Sequence, residues 1–351
     1  MSQEGFQRAT VEEPARKRER KPGETRRVLV TGGAGFVGSH LCRELLDGGR
    51  DVCVYDLRGF QPEGSFVLGD RDGSVRVELG SIDDEGRFFD VCRSFDPDDV
   101  VHMAMILDPV ILARARSTGH RVNIGGTLLV LESMRLFGIE RLINFSSIGV
   151  LPVKQYEPID AAHPLLLPRS GPGTDFYGAQ KLASEALCFA YHQALGIDFR
   201  TIRPSAVYGL GMTPYPGPIK AMVEGAVRGE KVSFATGGSH PRSYTHARDI
   251  AGLVVAMLDA PADADRIFYG ATGEPLVTTS EVAKMVMEVV PGSEVEIGEE
   301  LSDAEESVVA FRGQLSIDNA RDQLGWEPRY ADLRDGVTEY AESYRAFLQS
   351  S

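Results

Sequence analysis

The sequence predicts an α/β protein in which a doubly wound parallel sheet carries a smaller C-terminal cap. Three observations support that expectation. Strand-length apolar runs alternate with segments of helical period from Arg27 to about Arg203, a glycine-rich turn follows the first run directly, and the second half is rich in Gly and Pro with a looser pattern. Alternation of this kind implies parallel strands joined by right-handed crossovers, with helices on both faces. The 351 residues suffice for about two domains. With 42% hydrophobic residues and 38 glycines, the chain can bury a large core without disulfides or a metal.

Residues 1–25 are polar and hold the cluster Arg16, Lys17, Arg18, Arg20 and Lys21, so a disordered leader is expected there. Strands are expected at Val28–Val30, Val52–Tyr55, Val75–Leu79, Val100–Ala104 and Leu142–Phe145, with helices such as Phe36–Leu46 and Val122–Phe137 between them, and the pattern loosens after Phe199–Arg203. Residues 26–205 then form one domain. Residues 206–351 read mainly as the cap, with some segments returning to the first domain. Residues 208–245 are expected as loops around one short helix, Ile219–Arg228, and further helices at Asp249–Leu258, Ser280–Val290, Asp318–Leu324 and Leu333–Leu348.

Composition removes several classes of function. Lys and Arg total 37 against 51 Asp and Glu, a net charge of −14, which argues against nucleic acid or an anionic membrane as partner. Cys42, Cys53, Cys92 and Cys188 are scattered without a C-x-x-C and read as small buried hydrophobes rather than a zinc site or disulfide framework. No apolar run approaches the ~18 residues of a membrane span, and the N-terminus lacks a signal-peptide core, so a soluble, cytoplasmic protein is expected. His102, His163, His192 and His246 show no ligand spacing, and no metal is expected.

The first strand runs into Thr31-Gly32-Gly33-Ala34-Gly35-Phe36-Val37-Gly38 and then a helical pattern. In a Rossmann turn Gly32 permits the tight bend, Gly35 lets backbone approach a pyrophosphate, and Gly38 lets helix pack on strand. The helix N-terminus offers free amides and partial positive charge to the phosphates. Asp56 ends the second strand 21 residues after Gly35. A carboxylate there accepts from the ribose hydroxyls of NAD and repels a 2′-phosphate, while Arg58 lies close by.

Tyr177 and Lys181 stand four apart at the head of a helical stretch, which places both on one face. A tyrosine that acts as a base near neutral pH must lower its pKa by about three, roughly 4 kcal/mol. One cation about 4 Å away at an effective dielectric of ~20 supplies that amount, and Lys181 and an oxidised nicotinamide ring are the two candidates. Ser146 and Ser147 close the fifth strand, at the carboxyl edge where ligands bind in such sheets.

Together these residues resemble the extended short-chain dehydrogenase/reductase superfamily, specifically its NAD-dependent epimerase/dehydratase group and the nucleotide-sugar 4-epimerases within it. The likeness runs from Val28 to Trp326. Besides the motifs above it rests on Val101-His102-Met103-Ala104, Asn123–Thr127, Arg203–Gly209, Arg242–Asp249 and Leu324–Pro328. It implies that Tyr177 is the base, that Lys181 lowers its pKa and holds the nicotinamide ribose, and that Ser147 binds the reacting hydroxyl. It further implies cofactor contacts from Gly32, Gly35, Phe36, Val37, Gly38, Asp56, Leu57, Arg58, Ser81, Ile82, Met103, Ala104, Met105 and Pro204, with Asn123 supporting the site. On the substrate side it implies Arg242, gripping a diphosphate, and Tyr208.

Some positions depart from the group's pattern. Gly80-Ser81-Ile82 replaces a Gly-Asp, Leu107 stands where some 4-epimerases carry lysine, and Ala206 stands where an asparagine often meets the diphosphate. Ile148-Gly149 after Ser147 lacks the Asp-Glu of 4,6-dehydratases. The expected reaction is epimerisation of a secondary hydroxyl on a sugar or nucleotide sugar through a transient ketone. A dehydrogenase or ketoreductase with net redox is the alternative, and a non-catalytic NAD-sensing module a remote one. The resemblance also implies a homodimer that pairs the helices around Val122–Phe137 and Tyr177–Leu195.

Overall fold

The computed structural model describes residues 24–151, 153–165, 175–213, 217–309 and 312–350. Residues 1–23, most of the expected leader, lie outside the described residues.

Seven parallel strands form the central sheet: β1 (Arg27–Thr31), β2 (Asp51–Asp56), β3 (Arg76–Leu79), β4 (Asp99–His102), β5 (Arg141–Phe145), β6 (Asp198–Pro204) and β7 (Ile267–Gly270). Their spatial order is β7-β6-β5-β4-β1-β2-β3. The order reverses between β1 and β4, so the carboxyl ends of these two strands open a crevice, the position at which doubly wound sheets bind ligands. Val28, Leu29, Val30, Val100 and Val101 are fully buried. This is why both strands read as continuous apolar runs rather than as an alternation. β3 is the edge, and there Val77 and Leu79 are exposed.

Two strands differ from expectation. β4 stops at His102 and not at Ala104. The Met103 amide still meets the Thr31 carbonyl at 3.0 Å, and the amides of Met103 and Ala104 also reach the Thr31 hydroxyl at 3.2 and 3.3 Å. β7 was not expected at all. It is four residues long, lies far along the chain in the cap half, and pairs residue for residue with Thr201–Pro204 of β6.

The helices Phe36–Asp47 and Ala247–Leu258 cover one face of the sheet, where Leu41, Cys42 and Leu45 share a core with Ile250, Leu253, Val254 and Met257. Glu85–Phe95, Gly126–Phe137 and Phe176–Leu195 cover the other, with Phe88, Val91, Cys92, Val130, Leu131, Met134 and Cys188 in its core. The helix expected over Val122–Phe137 begins instead as a π-turn, Arg121–Gly125, before its α-helical part. All four cysteines are free and buried.

The cap has its own core of Tyr208, Met222, Val223, Val282, Val286, Val337 and Tyr340 between the helices Ile219–Arg228, Thr279–Val289 and Leu333–Ser350. Thr278 and Glu281 form a reciprocal capping box at the start of the second of these, which satisfies amides that the helix leaves unpaired. A two-residue antiparallel ladder, Pro241–Arg242 with Val277–Thr278, fixes the backbone at Arg242.

Candidate active site

The glycine turn is shaped by contact on both sides. Gly32 has φ +71°, and a methyl group there would lie 2.7 Å from the Ala104 nitrogen. The loop after β4 therefore presses directly on the turn. A methyl at Gly38 would lie 2.4 Å from the Gly33 carbonyl oxygen, so the first helical turn closes onto the loop itself. Gly35 caps the helix Phe36–Asp47 without a side-chain hydrogen bond, and its first turn holds no acid. The amides and the dipole at this end are thus available to an anion.

Asp56 sits half-buried at the end of β2, and one of its oxygens accepts from the Ala34 amide at 3.1 Å. The carboxylate braces the turn at the carboxyl end of β2. Leu57 and Arg58 beside it are exposed. Ser81 donates its hydroxyl to Asp83, whose carboxyl is held below the usual range first by Arg121 and then by Ser81. The Ile82 side chain is 4% exposed and packs in the core against Gly126.

Thr31 ties β1 to β4. Its hydroxyl accepts from the Met103 and Ala104 amides and lies 2.8 Å from Nδ1 of His102. With its lone pairs engaged the hydroxyl donates to Nδ1, which assigns the ring proton to Nε2. Burial, and next the Lys181 charge, push the His102 pKa down to about 3, so the ring is neutral. Met103, Ala104 and Met105 follow half-buried at the crevice. Asn123 clamps this loop from the π-turn: Oδ1 accepts from the Ile106 amide at 2.8 Å, and Nδ2 donates to the Ile106 carbonyl at 3.0 Å and to Gln180 Oε1 at 2.7 Å. Its role is to join the cofactor-side loop to the helix that bears Tyr177.

That helix starts at Asp175, which caps it through the Gly178 amide at 2.7 Å. Tyr177 is half-buried in the first turn. Lys181, 6% exposed, reaches the Phe145 carbonyl at the end of β5 and lies 5.9 Å from the Tyr177 ring centre. Burial pulls the Lys181 pKa down to about 7, against an upward pull from Glu185. Ser147 is extended, and its Oγ accepts from the Gly149 amide at 3.0 Å. A methyl at Gly149 would lie 3.3 Å from that Oγ and 3.6 Å from the Tyr177 ring, so both side chains border one small volume. The structure therefore brings Ser147, Tyr177 and Lys181 together at the carboxyl edge. Pro204 closes β6 on the same edge, paired with Gly270.

On the cap side the two expected residues separate. Tyr208 is 1% exposed within the cap core, its hydroxyl against Gly336, and does not line an open cleft. Arg242 is half-buried, and its Nε has no hydrogen-bond partner among the described residues. His240, which the sequence did not single out, is 1% exposed, and neither ring nitrogen has a partner among the described residues. Burial first, then the charges of Arg242 and Arg312, push its pKa down to about 4. A cap cavity of about 470 Å³, walled by Tyr244, Glu274, Val277, Glu281, Met285 and Asp332 among others, includes none of the expected site residues. Among the described residues no group of three His, Cys, Asp or Glu side chains could hold a metal ion, and no helix is long and apolar enough to cross a membrane.

The turn that Gly32 and Gly38 keep free of side chains, the uncapped helix end and Asp56 together fit a dinucleotide. Comparison with known proteins agrees. UDP-glucuronic acid decarboxylase 5 of Arabidopsis thaliana is 27% identical over 92% of this chain and 90% of its own length. The UDP-glucose 4-epimerase of Thermotoga maritima, solved with UDP-glucose, superposes with a TM-score of 0.77 at 25% identity, over 92% of this chain and 99% of that one. The UDP-glucose 4-epimerase of Thermus thermophilus, solved with NAD, gives 0.70 at 26% identity, over 91% and 99%. The model of the NAD dependent epimerase/dehydratase family matches residues 28–269. The chain belongs to that family, and is an enzyme whose cofactor is NAD.

Proposed function

We propose that this protein inverts a secondary hydroxyl of a sugar carried on a nucleoside diphosphate. The observation that carries the reading is the convergence of Ser147, Tyr177 and Lys181 on the carboxyl edge, with Arg242 Nε and both His240 ring nitrogens, which have no partner among the described residues, supporting an anion site in the cap. Bound NAD supplies a hydride acceptor and donor. The chain's own residues manage the proton. Ser147 Oγ holds the substrate oxygen, and the Tyr177 oxygen takes its proton as the ketone forms and returns it when the alcohol is restored. Lys181 stabilises the phenolate by its charge, and Arg242 retains the diphosphate while the keto sugar turns over in the site. Ile148 and Gly149 bring no acid beside Ser147, which speaks against elimination of water.

Asp56 favours NAD over NADP in this reading, because a 2′-phosphate would face its carboxylate. A homodimer is part of it too. Leu128 and Leu136 on one helix and Phe189 on the other are exposed apolar side chains on the two elements expected to pair, and exposed apolar patches of this kind mark association sites. The protein is read as cytoplasmic. The direct test is incubation with NAD and UDP-glucose or UDP-galactose, followed by NMR of the sugar. Inversion at one carbon without accumulation of NADH supports the epimerase. Stoichiometric NADH with a stable ketone product identifies the net-redox alternative instead.

A further inference from the structure

Behind Lys181 lies a buried ion pair that takes no direct part in the proton transfer. Glu185 stands one helical turn after Lys181 and is 2% exposed. Its carboxylate accepts from Nε and Nη2 of Arg203 at 3.0 and 2.7 Å. Arg203, 3% exposed on β6, gives Nη1 to the Tyr269 hydroxyl of β7 at 3.1 Å. Removing two such ions from water is costly, and apolar side chains of like volume often hold a core equally well. Packing alone leaves the pair unexplained.

Its place beside Lys181 gives it a purpose. Lys181 is itself desolvated, and its ammonium donates to a neutral carbonyl, that of Phe145. The groups facing it are Tyr177, Glu185 and Cys188 on its own helix and His102 on β4. Burial keeps the Cys188 thiol protonated and His102 neutral. Glu185 is therefore the anion that acts on the ammonium. The two-point grip of Arg203 holds that carboxylate at the distance of one helical turn, where its field reaches Lys181 without a direct ion pair. We infer that Glu185, anchored by Arg203, is a positioning residue that keeps Lys181 charged beside Tyr177 and so sets the pH at which Tyr177 becomes a base. The inference rests on the proposed roles of Tyr177 and Lys181.

The test is an ultraviolet absorbance titration of the NAD-saturated protein, in which the difference between wild type and Tyr177→Phe isolates the phenolate of Tyr177. Glu185→Gln should move the Tyr177 midpoint up by about one pH unit, the effect of losing one charge at this range in a partly screened interior. At neutral pH that is about tenfold less base. Because the single variant leaves Arg203 buried and unpaired, Glu185→Gln is also combined with Arg203→Met, where loss of the Arg203 charge offsets part of the effect and the rise should be smaller. A folded Glu185→Gln variant with the wild-type midpoint overturns the inference. A wild-type Tyr177 midpoint at the ordinary phenol value near 10 overturns instead the assignment of Tyr177 as base, on which the inference stands.

Discussion

Gly38 shows how a single hydrogen atom in place of a methyl group decides the cofactor site. A methyl there would sit 2.4 Å from the Gly33 carbonyl, closer than carbon and oxygen approach without bonding. Gly38→Ala must therefore push the helix Phe36–Asp47 away from the glycine turn proposed to hold the pyrophosphate. Overpacking of this kind costs about 1–3 kcal/mol, and a comparable loss from NAD binding weakens affinity by about 10- to 100-fold. Calorimetric titration with NAD measures it, and undiminished affinity would show that the turn does not carry the phosphates. That Gly32 and Gly38 leave no room for a side chain was legible in the sequence because backbone chemistry dictates it locally. The burial of Ile82 and Tyr208 was not legible, because how deeply an apolar or aromatic side chain packs depends on partners distant in sequence, here Gly126 and Gly336. His240 was missed because a lone histidine has no local signature, and its meaning comes from the folded neighbourhood of Arg242 and Arg312.

Among the elements, the loop after β4 depends most on one side chain. Asn123 satisfies both backbone groups of Ile106 and reaches Gln180 from a buried position. Asn123→Ala strands those groups, and each buried unsatisfied group costs about 1–3 kcal/mol. The expected result is a protein less stable by at least that amount, with faster amide exchange at Ile106 and weaker NAD binding. Slow exchange at Ile106 in the variant would show that the loop is held by other means. The π-turn that presents Asn123 was not legible, since a helical period does not distinguish one extra residue in a turn. β7 escaped notice because four residues, the last of them Gly270, fall below the length at which a strand pattern separates from loop. β4 appeared two residues too long because Met103 and Ala104 continue its apolar run, although their amides already bond to Thr31.

At the scale of the whole molecule, the buried neutral histidines contribute to the loss of stability in mild acid. His102 and His40 are pushed down to about 3 and about 4, in both cases chiefly by burial, whereas in the unfolded chain each titrates near 6.5. As pH falls below 6.5 the unfolded state binds protons that the folded state refuses, so stability falls, by about 2 kcal/mol per ring between pH 6.5 and 5. Urea unfolding at the two pH values should show this loss, reduced by about one ring's share in His102→Asn. An unchanged pH slope in that variant would mean the ring is charged in the fold. The proposed dimer is checked by sedimentation: Leu128→Asp should yield monomers where the wild type pairs, and a wild type that is monomeric at micromolar concentration removes the proposal. The doubly wound sheet itself was legible because its strands are buried on both faces and its crossovers carry long helical periods. The cap was legible only as helices, since its two- and three-residue ladders, such as Pro241–Arg242 with Val277–Thr278, are defined by pairing rather than by sequence pattern.

The central claim is that Tyr177 carries the proton of the reacting hydroxyl. Its most direct test is the rate of sugar inversion by Tyr177→Phe, a change that keeps the ring and removes only the oxygen. Turnover should fall by about 10² to 10⁴, the range for loss of a positioned acid–base group, while thermal stability and NAD affinity stay at wild-type values. Inversion at a rate close to wild type would contradict the mechanism.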